Sequence, residues 1–213
     1  MKHVLIAVAL CAHSVAACDM VTGNGVAKTE ARDVANFSAI ELAGSIEAQV
    51  AFGEAFTVTV SGDENIVPLV RTTVVGGALQ ISTQGSYRTK LPLRVSIVMP
   101  ALSALEITGS GRAVVQNVRA KALKIQLSGS GHLEISGAAD AVSLVISGSG
   151  DVSGRGFTAA NADVAISGSG TVEIAATTRL VANISGSGSL RYRGPVNDVA
   201  STVTGSGSVT RLD

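Results

Sequence analysis

The chain has 213 residues, a length that suits one domain, and 16 basic residues balance 16 acidic ones to a net charge of zero. A balanced charge provides no electrostatic footprint for the phosphates of DNA or RNA, so a nucleic-acid-binding function is disfavoured. Only 3% of the residues are aromatic, whereas 24 are glycine. A core of small and aliphatic side chains favours thin, regularly stacked β layers.

The amino-terminal segment has the features of an export signal. Residues 1–17 carry Lys2 near the start and then a mostly apolar stretch ending in small residues, which predicts a secretory signal peptide. This stretch is too short for a permanent membrane-spanning helix. The run Val15-Ala16-Ala17-Cys18 resembles the bacterial lipobox, which implies a lipid anchor on Cys18, followed by a linker over 18–32. An ordinary cleaved signal in which Cys18 is incidental is the alternative.

Residues 33–100 have β character without a clear repeat. Phe56, Val58 and Val60 alternate with polar residues, and Gly76-Gly77 predicts a turn. We expect irregular coils that continue the same solenoid as residues 101–213. A separate small β domain ending near Pro100 is the alternative.

Residues 101–213 are organised by a repeated tripeptide. Gly-Ser-Gly occurs six times, and its first glycine is Gly109, Gly129, Gly148, Gly168, Gly186 or Gly205. The intervals of 20, 19, 20, 18 and 19 residues are typical of a solenoid, in which each repeat is one coil that packs on the next.

Apolar residues flank each motif at a spacing of two, which predicts strands and not helices. The residues two positions before each first glycine are all aliphatic: Ile107, Leu127, Ile146, Ile166, Ile184 and Val203. The sequence therefore predicts an all-β fold, a single-chain parallel β-helix with coils of about 19 residues. If the alternation continues through the motif, its glycines point inward and mark a corner of each coil.

The same alternation places the central serine of every motif on the solvent side. These serines are Ser110, Ser130, Ser149, Ser169, Ser187 and Ser206, and we refer to them as the serine ladder. The ladder is either a structural feature of crowded corners or a hydroxyl strip that binds a glycan or an envelope protein. It is the candidate binding site that the sequence offers.

Three short segments accompany the repeated Ile-Ser-Gly-Ser-Gly: FSAI at 37–40, VTVSGDEN at 58–65 and GALQI at 77–81. Together they resemble the head GIN domain family, a bacterial family of unassigned function described as autotransporter adhesins. The resemblance covers residues 32–213. It implies a right-handed parallel β-helix at the cell envelope, and it brings no catalytic residues.

Stacked coils align equivalent positions in columns. One column reads Arg112, His132, Asp151, Thr171, Ser189 and Ser208. With Ser130 or Ser149 nearby, it contains the residue types of a hydrolase triad, but no adjacent segment offers an oxyanion hole. A solvated face is the preferred interpretation. In a second column, Glu173 and Arg191 predict a weak surface ion pair.

The sequence predicts no metal site and no cofactor. Both cysteines, Cys11 and Cys18, belong to the first 18 residues, and His132 is the single histidine after them. Thiolate or imidazole ligands for a metal are therefore lacking in the β-helix sequence, and the protein is not expected to be an enzyme.

The predicted function is that of an exported binding or adhesion module, held in the membrane by a lipid on the periplasmic or outer-surface face. Its partners would be a glycan or an envelope protein. A periplasmic assembly protein is the alternative, because an open last coil exposes a β edge through which two molecules could pair, with Arg211 and Asp213 as its charges. A glycan-active enzyme is the third hypothesis.

Overall fold

The computed structural model describes residues 20–213, so the predicted signal peptide and Cys18 lie outside the described residues. The amino-terminal strands are β1 Val21–Thr22, β2 Ala27–Arg32, β3 Ala39–Gly44, β4 Glu47–Phe52, β5 Thr57–Asp63, β6 Val70–Val75, β7 Ala78–Thr83, β8 Tyr87–Arg88 and β9 Arg94–Met99. A 3-10 helix, Val67–Leu69, follows β5. Within residues 20–213, no helix is long and apolar enough to cross a membrane.

The carboxy-terminal strands follow the repeat. They are β10 Ala104–Gly109, β11 Arg112–Gly129, β12 His132–Gly148, β13 Asp151–Gly168, β14 Thr171–Gly186, β15 Ser189–Arg193, β16 Asp198–Gly205 and β17 Ser208–Arg211. All of them pair in parallel, and the motifs lie in register, with Gly129 opposite Gly109 on one side and Gly148 on the other. The predicted all-β parallel β-helix is confirmed, with about five turns.

Each coil bends where the in-and-out alternation of side chains fails. In β11 two consecutive residues are exposed at Gln116-Asn117 and again at Lys121-Ala122. Asn117 has a φ of 62°, a left-handed conformation that asparagine tolerates in turns. These two bends and the Gly-Ser-Gly corner divide the coil into short walls. Their inner residues form one apolar core that continues from Phe37 to Val196.

Neither glycine of a motif leaves room for a side chain. Gly148 has a φ of 124°, and a Cβ built on it would lie 2.5 Å from the carbonyl oxygen of Gly129 in the neighbouring coil. Gly150 is buried, and its Cβ would lie 2.9 Å from the carbonyl oxygen of Gly131 in the neighbouring coil and 3.1 Å from the Leu127 side chain. The second glycine thus points inward as expected, and at both positions the neighbouring coil is too close for a side chain.

The order of coils along the stack is not their order along the chain. Strand β3 lies between β7 and β10, and β4 lies between β9 and β11, in each case through parallel pairing. The coil of residues 39–52 therefore separates residues 78–99 from residues 104–115. Antiparallel pairs, β2 with β5, β5 with β9 and β6 with β7, make this half irregular.

A buried carboxylate ties the amino-terminal segments together. Asp63 is fully buried, and its oxygens accept hydrogen bonds from the backbone N–H groups of Gly25 at 2.7 Å, Lys90 at 2.9 Å and Leu91 at 3.0 Å. The backbone hydrogen bond from Leu91 contributes most to lowering the pKa of Asp63. Together with the bonds from Gly25 and Lys90, it outweighs the opposing effect of burial. The loop before β2 and the loop before β9 are therefore fixed to the end of β5.

Candidate functional site

The serine ladder lies where the sequence predicts it, along the exposed Gly-Ser-Gly corner. All six central serines are exposed. Their backbone N–H groups are used in stacking: Ser130 donates to the Gly109 carbonyl at 2.9 Å, and Ser149 donates to the Gly129 carbonyl at 2.8 Å. The side-chain hydroxyls consequently form a row of small polar groups on an outer corner, without a cleft around them.

The Arg112, His132 and Asp151 column is also in register, because His132 lies opposite Arg112 on one side and Asp151 on the other. The Arg112 guanidinium, however, contacts the Glu134 carboxylate at 3.3 Å. Among residues 20–213, no hydrogen bond joins His132 to Asp151 or to a serine. The column lacks the chain of hydrogen bonds that orients a catalytic triad.

Glu173 differs from its expected role as a weak surface partner of Arg191. Glu173 does lie opposite Arg191 in the strand register, but its side chain is buried and contacts two other arginines. The Arg193 Nη1 is 2.6 Å from Oε1, and the Arg155 Nε is 3.2 Å from Oε2. The carboxylate thus lies between arginines of the preceding and following coils. Neither arginine is directly opposite Glu173 in its column, so the column does not predict these contacts.

One concave surface crosses four coils at the second bend. We call it the four-coil groove, and its volume is about 680 Å³. Two columns form it through the strand register, Ala122, Ala141, Asn161 and Arg179 in one, and Lys124, Ser143, Asp163 and Val181 in the other. A volume of this size falls in the range of small-molecule and cofactor sites.

The groove carries both signs of charge around a floor of small residues. Ala122 and Ala141 occupy outward positions, so wall backbone is accessible between the longer side chains of the later coils. Arg179 contacts Asp198 at 3.5 Å, and the Asn161 amide donates to the Asp140 carbonyl at 3.3 Å. Lys124 and Asp163 add one charge of each sign. Such a lining provides hydrogen-bond donors and acceptors without a strong net field.

Sequence reasoning missed the groove because it followed the most repeated residues. The signal was present as the column Ala122, Ala141, Asn161, Arg179 at intervals of 19, 20 and 18 residues. Small residues at two outward positions indicate a depression, but the concavity depends on how adjacent walls meet. No group of three or more His, Cys, Asp or Glu residues capable of holding a metal occurs in residues 20–213.

Two solved bacterial structures illustrate the similarity of fold. A "putative adhesin" from Bacteroides fragilis has a TM-score of 0.74 at 18% identity, over 90% of this chain and 100% of its own. A second one, from Parabacteroides distasonis, has a TM-score of 0.60 at 24% identity, over 91% of this chain and 100% of its own. At these identities the similarity establishes the fold alone. No protein of curated function matches the chain.

A family model matches most of the β-helix, from residue 36 to residue 196. The family is described as "Putative auto-transporter adhesin, head GIN domain". An adhesin family suggests an extracellular or envelope-associated protein. Because the match includes both the irregular strands and the glycine corners, the chain belongs to the head GIN domain family.

Proposed function

We propose that the chain is a non-catalytic binding module of the cell envelope, and that the four-coil groove holds an extended, hydroxyl-rich polysaccharide. The observation that supports the proposal is the groove itself, because it repeats the same two columns over four coils. Coils spaced by about 4.8 Å give it a length of about 14 Å. That length suits a stretch of a polymer better than a single compact molecule.

The chemistry of the lining favours a neutral ligand over a charged one. Lys124 and Arg179 are balanced by Asp163 and by the Asp198 that contacts Arg179. A nucleic acid or a strongly acidic polymer would require a surplus of positive charge, which this surface lacks. Sugar hydroxyls donate and accept hydrogen bonds, as do Ser143 and Asn161.

A pair of blocking variants on one coil tests the site. Ala141→Glu places a long charged side chain in the groove, and Ser149→Glu places the same side chain on the serine ladder. Both residues are exposed, so the two variants should fold alike. Retention of the full chain on a panel of immobilised neutral and acidic polysaccharides is then measured.

We expect Ala141→Glu to lose at least tenfold in affinity for a neutral polysaccharide and Ser149→Glu to bind as the unmodified chain does. Loss with Ser149→Glu alone would move the site to the serine ladder. If no polysaccharide is retained, or if neither variant changes retention, the groove is not a glycan site. A protein segment from the envelope would be the next ligand class to test.

The proposal includes membrane anchoring through a lipid on Cys18, which lies outside the described residues. In cells, Cys18→Ser should remove the lipid from the chain and shift the chain from the membrane fraction to the soluble fraction. Antibody labelling of intact cells, compared with permeabilised cells, distinguishes the outer surface from the periplasm. An unchanged fractionation of Cys18→Ser would refute the anchor without affecting the groove.

A further inference from the structure

The free β edges at the two ends of the stack of coils carry different residues. At the amino-terminal end, the outer strand β2 carries Lys28, Glu30 and Arg32, which pair with one another at 3.5 Å and 2.9 Å. Alternating charges of this kind discourage further strand addition. The loop tied to Asp63 adds a second covering at this end.

Within residues 20–213, the carboxy-terminal end has no comparable protection. Strand β16 pairs with β14 on one side and with no strand of residues 20–213 on the other, and all eight of its residues are exposed. Its single charged residue is Asp198, and it contains neither lysine nor proline. An edge of this composition is a template for another strand.

The inner face of β16 carries two uncovered valines, one on each side of Ser201. Val199 and Val203 lie opposite Leu180 and Ile184 of the preceding coil. Leu180 and Ile184 are 0% and 3% exposed, whereas Val199 and Val203 are 37% and 40% exposed. The two valines therefore continue the core columns to a surface where nothing within the described part of the chain packs on them.

We propose that β16 pairs antiparallel with β16 of a second copy, around a two-fold axis through Ser201. In this register Val199 of each copy lies opposite Val203 of the other, and both pairs face the interior. Ala200 lies opposite Thr202, and the two Ser201 hydroxyls meet at the axis. An even register of this kind keeps inner side chains on the inner face, and the choice of Ser201 as centre brings the valines together.

The partner is a second carboxy-terminal end and not the opposite end of another molecule. Head-to-tail stacking would bring β16 against β2, which presents Lys28, Glu30 and Arg32, or against β6, which presents Arg71. Tail-to-tail pairing brings Val199 and Val203 of the two copies together and places no like charges in opposite positions. It also closes, so it gives a dimer and not a filament. This inference does not depend on the ligand of the groove.

Cysteine cross-linking of the full chain tests the axis. Ser201→Cys brings the two thiols together, because opposite Cα atoms in an antiparallel pair are about 4.5–5.5 Å apart, within the range that a disulfide spans. Thr204→Cys is the matched control. Its two copies would be six residues out of register, about 20 Å apart. Both variants keep Cys11 and Cys18, so these residues do not bias the comparison.

The expected result is a disulfide-linked dimer under mild oxidation for Ser201→Cys and none above the background of the unmodified chain for Thr204→Cys. Equal cross-linking of both variants, or none with either, overturns the proposed register.

Mass measurement by light scattering in detergent provides a second test. Val203→Asp should convert a dimer to a monomer, while Thr204→Asp, on the outer face, should leave it unchanged. A monomeric unmodified chain at high concentration overturns the proposal altogether.

Discussion

The repetitive coils and the irregular amino-terminal half achieve order by different means. From β10 onward, one set of positions recurs in every coil, and stability comes from repeated contacts between identical corners. Before β10, individual interactions decide the arrangement, above all the three backbone hydrogen bonds to Asp63. The difference indicates that the repeated coils tolerate few substitutions at their glycine corners. The irregular half instead depends on single residues that the repeat does not identify.

The largest expected effect is at a glycine corner. Gly148→Ala should destabilise the protein by about 3 kcal/mol or more, because the backbone is left-handed and the added Cβ meets the Gly129 carbonyl oxygen in the next coil. Gly76→Ala is the matched change in the β6–β7 turn of the irregular half. Its φ is 57° and nothing lies within 4 Å, so the cost should be about 1 kcal/mol. Urea unfolding measures both, and equal losses would contradict the importance of corner stacking.

Asp63 should make the irregular half sensitive to acid. Its pKa is lowered from 3.8 in the folded state, so its stabilisation is complete above about pH 4 and is lost as the pH falls through the folded-state pKa. Asp63→Asn should lower the melting temperature at neutral pH, because an amide N–H₂ would face backbone donors that now contact a carboxylate. The difference in melting temperature between the two proteins should shrink at acidic pH. A difference in melting temperature that stays constant across the pH range would argue against a stabilising role of the ionised Asp63 carboxylate.

The smallest expected effect is at the ion cluster of the regular coils. Glu173→Gln should cost about 1 kcal/mol, since the carboxylate is buried but its arginine partners are largely exposed to solvent. Arg191→Gln should change the stability by less than about 0.5 kcal/mol. Thermal unfolding of the two variants distinguishes the observed cluster from the pair that the sequence suggested. A larger loss of stability with Arg191→Gln than with Glu173→Gln would support the Glu173–Arg191 pair instead.

The predictable part of the structure is the part that repeats. Six copies of Gly-Ser-Gly define the coil length, and residues such as Ile146 and Ile166 define the inner face, so the β-helix followed from spacing alone. The insertion of residues 39–52 between later segments could not be predicted, because no periodicity records an exchange of strand order. Glu173 was misjudged because the column model considers directly opposite residues, while long side chains such as Arg193 reach across two positions.

The parallel ladder between coils also determines how the molecule responds to mechanical force. If the amino-terminal end is held and the carboxy-terminal end is pulled, the load falls on the last coil alone, because each coil is bonded chiefly to its neighbour. Coils should then detach one after another, each releasing roughly 60 Å of chain. Force-extension traces would have a regular series of low peaks, and energy would be dissipated over a long distance before the amino-terminal coils opened.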